Sequence, residues 1–283
     1  MELKQIGVVG CGLMGSGIAE VCARAGYQVT VREINEALLQ KGLGHIQKSL
    51  GKAVARSKIT QEQADQALAN IQGTVDLADF ADCDLVVEAA VENMDIKKEI
   101  FARLDGILPP QAILASNTSS LCITEMASVT QRGDKILGIH FFNPVPVMPL
   151  IEFVRTILTS EQTMETVHQF GASLGKTMVT AKDTPGFIVN RLLIPYLLDA
   201  VRIYEEGLAT REDIDTAINL GLNHPMGPLT LLDFVGLDTT LFIADAMYQE
   251  YKDPRYAAPP LLRRKVLAGH WGRKSGKGFY DYT

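Results

Sequence analysis

The sequence predicts an α/β chain: a doubly wound, mostly parallel sheet with a projecting helical hairpin, followed by an all-α domain. Three observations carry this. The chain opens on an apolar strand that runs into a glycine cluster and then a helix; strand and helix patterns alternate as far as residue 184; and from Pro185 onward only helical patterns occur. With 283 residues there is enough chain for two cores, and the change of pattern at Thr184-Pro185-Gly186 divides it into domains 1–184 and 185–283.

In order, residues 4–10 form a continuous apolar strand, 13–26 a helix ending at Gly26, and 28–33 a second strand, making one βαβ unit. Residues 35–70 carry helix formers, then Thr60 with Gln63 three residues on, the pattern of a capping box. This is the helical hairpin, and Lys41, Lys48, Lys52, Arg56 and Lys58 recur along it at largely helical spacing, giving it a basic flank. After Gly73 the alternation resumes with strands at 84–90, 112–116, 136–142, 150–154 and 177–181. Helices are expected at 95–107, from 123 and after Ser160. Beyond the boundary, the apolar run Phe187 to Leu198 starts a long helix near Pro185, and His224-Pro225-Met226-Gly227-Pro228 reads as a turn between helices.

Composition narrows the class. A net charge of −6 and a pI near 5.4, with no long lysine or arginine run, leave no footprint for nucleic acid, although a local basic patch could receive a phosphorylated ligand. Cys11, Cys22, Cys83 and Cys122 form neither a CxxC pair nor a cluster at zinc spacing, so no metal site is expected and the thiols read as reduced. The N-terminal segment lacks the pattern of a signal peptide, and no stretch approaches the length of a membrane span. The expectation is a cytoplasmic protein.

Gly10-Cys11-Gly12-Leu13-Met14-Gly15 lies between a strand and a helix inside a βαβ unit, the context that makes a GxGxxG pattern a dinucleotide site on a Rossmann-like sheet. Gly10 would allow the tight turn, Gly12 the close approach of backbone to pyrophosphate, and Gly15 the packing of helix on strand. Glu33 closes the second strand, where a carboxylate takes the ribose hydroxyls and repels a 2′-phosphate, favouring NAD. Arg32 beside it is the residue type that accommodates the extra phosphate, which leaves the strength of that preference open.

A second constellation lies in Gly138-Ile139-His140-Phe141-Phe142-Asn143-Pro144 and Leu150-Ile151-Glu152-Phe153-Val154, which set one histidine and one carboxylate inside apolar strands. Each is costly there alone, and paired each favours the other's charge. If the strands are neighbours, the period of two lets His140 meet Glu152. Ser116-Asn117-Thr118-Ser119-Ser120 sits at the C-terminal end of another strand, where open α/β sheets bind ligands.

Together GCGLMGSGIAE, VVEAAVENMDIKKEIF, ASNTSSL, GIHFFNPVPVMPLIEFV, DTPGFIVNRLLIPYL, NHPMGPLTLLDFVGLD and GRKSGKGFYDY resemble the 3-hydroxyacyl-CoA dehydrogenases from end to end, most closely their bacterial 3-hydroxybutyryl-CoA branch. The resemblance implies NAD-dependent interconversion of (S)-3-hydroxybutyryl-CoA, or another short-chain (S)-3-hydroxyacyl-CoA, and its 3-keto product, with His140 as general base and Glu152 orienting it. It implies that Ser119 and Asn190 hydrogen-bond the substrate oxygens, and that Glu92, Lys97, Ser119, Asn143 and Lys274 contact NAD beside the glycine loop and Glu33. It also implies that Ser49, Lys52 and Arg56 meet the coenzyme A moiety. A homodimer is expected from the family and from the apolar content of 185–283. Two rivals are a dehydrogenase of free hydroxy acids or sugar acids on the same scaffold, as in lambda-crystallin-like relatives, and a catalytically silent NAD-binding protein.

Overall fold

The computed structural model describes residues 2–282. The chain divides between Thr184 and Pro185 into two compact units.

The first unit is an eight-stranded sheet in the order β3-β2-β1-β4-β5-β6-β7-β8. Its strands are β1 (Gln5–Val9), β2 (Gln28–Arg32), β3 (Ile71–Thr74), β4 (Leu85–Glu88), β5 (Ile113–Ser116), β6 (Ile136–Phe141), β7 (Leu150–Arg155) and β8 (Thr177–Lys182). All neighbours run parallel except β6 and β7. Between the strands lie α1 (Leu13–Arg24), α2 (Glu36–Ala55), α3 (Gln61–Ala69), α4 (Met94–Ile107), α5 (Ile123–Ala127) and α6 (Glu161–Ser173). The central strands β4, β5 and β6 are buried at every position, which is why their sequences are continuous apolar runs instead of alternating ones. Ile6, Val8, Val29, Val31, Leu85 and Val87 form one core with Ile18, Ala19 and Cys22 of α1.

The hairpin α2–α3 shares that core. Leu39, Ile46 and Leu50 of α2 and Ala64 and Ala67 of α3 are buried in it, while Lys41, Lys48, Lys52, Arg56 and Lys58 are exposed. Asn35 caps α2 by accepting from Leu38 N–H, and the capping box at Thr60 and Gln63 closes the start of α3 in both directions. The sequence analysis passed over β3. Its four residues, IQGT, hold an exposed glutamine and a glycine, so no period-two signal exists; Gly73 is glycine because α2 crosses it, an added Cβ standing 3.2 Å from Leu39 and Leu43.

The second unit is helical: α7 (Val189–Glu205), α8 (Arg211–Gly221), α9 (Pro228–Val235), α10 (Leu237–Tyr251) and α11 (Pro260–Leu267). Leu197, Leu198, Val201, Leu229, Leu232, Met247, Leu262 and Phe279 form its core. Two expectations change here. The long helix begins at Val189, four residues after the proline, because Pro185–Ile188 is a turn in which Phe187 takes a left-handed conformation (φ 44°). The C-terminal tail is not only helical: Gly272, Lys277 and Asp281 make isolated antiparallel bridges. The tail is anchored by buried Asp233, which accepts from Phe279 and Tyr280 N–H at 2.8 Å each. The segment from His224 to Pro228 is a turn, with Pro228 opening α9. Among the described residues no helix is long and apolar enough to cross a membrane.

The C-terminal end of α4 is closed by one side chain. Arg132, 7% exposed, uses all five guanidinium donors: on the Asp105 carboxylate at 2.7 Å and on the carbonyls of Asp105, Leu108, Pro109 and Ala112. Replacing it by Met removes five donors at once, leaving the Asp105 carboxylate with the Gln131 N–H and the Pro109 carbonyl with the Ala112 N–H. Arg132→Met should cost about 3–5 kcal/mol of unfolding free energy, the range for breaking a buried ion pair. Urea titration checks this; a loss below about 1 kcal/mol would mean that water replaces the guanidinium.

Candidate active site

Val9, Arg32, Glu88, Ser116 and Phe141 end their strands on one rim of the sheet, and β7 returns to that rim with its N-terminal residues because it runs antiparallel. Gly10 (φ 95°) turns the chain out of β1 and donates to Arg32 C=O at 2.8 Å. A Cβ on Gly15 would stand 1.8 Å from the Gly10 carbonyl oxygen, whereas one on Gly12 would meet nothing within 4 Å. Gly15 is therefore required by helix–strand packing and Gly12 faces open space. Helix α1 has neither a side-chain cap nor an acidic residue in its first turn, so its leading N–H groups remain for an anion, and exposed Leu13 lies beside them. These features fit a dinucleotide pyrophosphate.

The loop also holds the Glu33 carboxylate. Cys11 N–H donates to Glu33 Oε1 at 2.7 Å and Ile34 N–H to Oε2 at 3.1 Å. Arg32, the residue that could have welcomed a 2′-phosphate, instead turns its Nε to the Val75 carbonyl at 3.2 Å. The Cys11 thiol is buried, and burial, with Glu33 adding to it, pushes it up to about 12, so it packs as an inert small group. It packs against α2 at Gly42, where an added Cβ would lie 2.3 Å from both the Cys11 oxygen and sulfur.

His140 and Glu152 stand opposite each other across β6 and β7, with Nδ1 and Oε2 2.7 Å apart. Glu152 is 0% exposed and His140 6%. The Phe142 ring lies 4.5 Å from the imidazole, centroid to centroid. Asn117, a site residue the sequence analysis did not single out, accepts from Phe141 N–H at 2.9 Å and so ties the end of β6 to the end of β5. The connection from β6 to β7 contains Asn143, joined to Pro144 by a cis peptide bond, and Lys176 Nζ donates to its carbonyls at Val145 (2.7 Å) and Met148 (2.6 Å).

Ser119 is half-buried, and its N–H donates to Glu92 at 3.2 Å. Lys97 is 1% exposed, and its ammonium is taken by Glu88 at 2.8 and 2.9 Å and Glu92 at 3.2 Å. Glu88 escaped the sequence analysis, although a carboxylate closing an apolar strand is the signal that singled out Glu33. Asp183 also escaped it; its carboxylate accepts from Ile123 and Thr124 N–H and closes the start of α5.

Lys52, in the last turn of α2, and Arg56, its C-cap, are exposed four residues apart, whereas Ser49 is half-buried. Glu20 is 1% exposed, and burial raises its pKa. In the second unit, Asn190 lies in the first turn of α7, and Lys274 pairs with Asp238 at 2.6 Å.

Residues 5–184 match the model of the 3-hydroxyacyl-CoA dehydrogenase NAD binding domain, and residues 186–282 that of the 3-hydroxyacyl-CoA dehydrogenase C-terminal domain. The chain belongs to the 3-hydroxyacyl-CoA dehydrogenase family. It is 53% identical over 282 residues to a 3-hydroxybutyryl-CoA dehydrogenase of Mycobacterium tuberculosis, covering 99% of each chain. Among solved structures it is similar to M. tuberculosis FadB2, with a TM-score of 0.99 and 52% identity, and to the (S)-3-hydroxybutyryl-CoA dehydrogenase PaaH1 of Ralstonia eutropha, with a TM-score of 0.96 and 44% identity, each over 100% of both chains. Like its family, the protein is an NAD-dependent oxidoreductase.

Two glycine variants separate packing from binding. Gly12→Ala should fold with a Tm within about 2 °C of wild type yet bind NADH at least about ten-fold more weakly, because the methyl fills the phosphate approach. Gly15→Ala should lose both stability and binding. NADH fluorescence titration with thermal melts checks the pair, and equal Tm losses in both variants would refute the division of roles.

Proposed function

We propose that this dehydrogenase interconverts (S)-3-hydroxybutyryl-CoA and acetoacetyl-CoA, with His140 as the general base. The buried pairing of His140 Nδ1 with Glu152 at 2.7 Å carries the reading. With Nδ1 given to Glu152, Nε2 is the nitrogen that would take the proton from the substrate's 3-hydroxyl, and the carboxylate behind it stabilises the imidazolium that forms. Bound NAD supplies the hydride acceptor. Gly10, Cys11, Gly12, Leu13, Met14, Gly15 and Glu33 would hold it, with Glu92 and Asn143 at the same rim. Ser119 and Asn190 would hydrogen-bond the substrate oxygens, and in the reverse reaction their donors polarise the 3-keto group.

Two observations support the thioester substrate. Lys52 and Arg56 form an exposed cationic face at the C-terminal end of α2 suited to coenzyme A phosphates, and the Mycobacterium and Ralstonia relatives carry 3-hydroxybutyryl-CoA in their names. Ser49, half-buried on the same helix, would meet the coenzyme A moiety beside Lys52 and Arg56. A homodimer through the second unit is supported by exposed Leu192, Leu220, Phe234 and Phe242 on its helices.

NADH oxidation with acetoacetyl-CoA, run beside free acetoacetate, tests the substrate. Turnover that requires the thioester supports the reading; turnover of free acetoacetate alone would favour a hydroxy-acid dehydrogenase. His140→Gln should lower kcat by about 10²–10⁴ while NADH still binds; unimpaired turnover would end the assignment. Glu33→Ala should narrow the preference for NADH over NADPH, measured as the ratio of kcat/KM values. A wild type that already prefers NADPH would defeat the role given to Glu33.

A further inference from the structure

We infer that Lys97 is a positioning residue for Ser119: from beneath the ends of β4 and β5, its ammonium holds two carboxylates that together fix the backbone of residues 118–121. The inference rests on the reading that Ser119 meets the substrate.

An ammonium has three protons, and Lys97 directs its Nζ to three carboxylate oxygens: Glu88 Oε1 at 2.8 Å, Glu88 Oε2 at 2.9 Å and Glu92 Oε2 at 3.2 Å. At 1% exposure it has neither a donor nor a surface left for a dinucleotide. Two chains of hydrogen bonds lead from it. Through Glu88, Oε2 accepts from Ser116 Oγ at 2.6 Å, and Ser116 Oγ accepts from Thr118 N–H at 3.2 Å. Through Glu92, Oε1 accepts from Ser119 N–H at 3.2 Å and from Thr118 Oγ1 at 2.5 Å, which in turn accepts from Ser120 N–H (3.3 Å) and Leu121 N–H (3.0 Å).

The direction of every bond follows from the charges. An ionised carboxylate only accepts, so each hydroxyl facing one spends its single proton there and is left with lone pairs for backbone N–H groups. One buried ammonium thereby sets the polarity that receives four consecutive amides around Ser119. If Glu88 becomes Gln, its NH2 group or its oxygen must face an ammonium and a hydroxyl that both donate, and the order breaks unless the ammonium is removed too.

The test compares wild type, Lys97→Met and the charge-balanced double variant Glu88→Gln/Lys97→Met, which folds without a stranded buried carboxylate at position 88. Three quantities are measured: amide hydrogen exchange by segment, NADH affinity by fluorescence, and kcat and KM with acetoacetyl-CoA. The double variant should show about ten-fold faster exchange confined to residues 118–121. Its kcat should fall by up to about a hundred-fold, the scale of a small misplacement of a substrate contact, and any loss of NADH affinity should accompany the faster exchange. Weakened NADH binding with residues 118–121 still protected would overturn the inference and return Lys97 to the cofactor. Unchanged exchange and unchanged kcat would reduce it to a structural ion pair. Should wild type fail to turn over acetoacetyl-CoA, the proposed reaction falls, and the exchange pattern alone decides the anchoring.

Discussion

The site depends on the antiparallel pairing of β6 with β7. In a sheet that is otherwise parallel, this one reversal brings the start of a strand to the rim where all the others end, and lays Glu152 directly across from His140. Both faces of β6 are buried, so the register is set by the polar pair and its apolar neighbours together. Ile139, Phe141, Ile151 and Phe153 are each 2% exposed or less, and a slip of one residue would exchange this apolar set with His140 and Glu152 across the sheet. The ladder thus keeps together a charge pair that would be costly to bury apart.

The same logic runs along the rim. Glu88 is fully buried, and Ala90 N–H, Ser116 Oγ and the Lys97 ammonium all donate to it. Glu33, near the opposite end of the row, is held only by two backbone N–H groups and keeps its environment half-open. The difference separates a carboxylate whose acceptors are consumed within the fold from one that retains capacity for ribose hydroxyls. Saturation marks structure here, and partial satisfaction marks the binding surface.

What the sequence made legible follows from what burial writes into it. Strands β1, β4, β5 and β6 are buried on both faces and read as apolar runs; the capping box at Thr60 is a local pattern that needs no tertiary context. His140 and Glu152 stood out because charge inside an apolar run is expensive. Strand β3 was hidden because an edge strand of IQGT borrows its stability from α2 above it and carries no alternation of its own. The carboxylate contacts of Lys97 were not legible, because residue type and helical spacing do not reveal carboxylates supplied by other elements. Asn117 and Lys176 act by bonding backbone groups of the strand and loop beside them, which leaves no trace in local periodicity.

Helix α2 connects the two proposed binding regions. Its Gly42 lies in contact with Cys11, and the N–H of that residue holds Glu33, so the helix backs the glycine loop where it meets that carboxylate. About 15 Å further along the same helix, at 1.5 Å per residue, stands Lys52, with Arg56 capping the C-terminal end beyond it, the two cations proposed to meet the coenzyme A phosphates. The helix is pinned in between by Ile46 and Leu50, each 1% exposed in the shared core. A displacement at either end must therefore move a packed rod, and glycine at position 42 is what lets that rod lie close enough to the loop to be felt there.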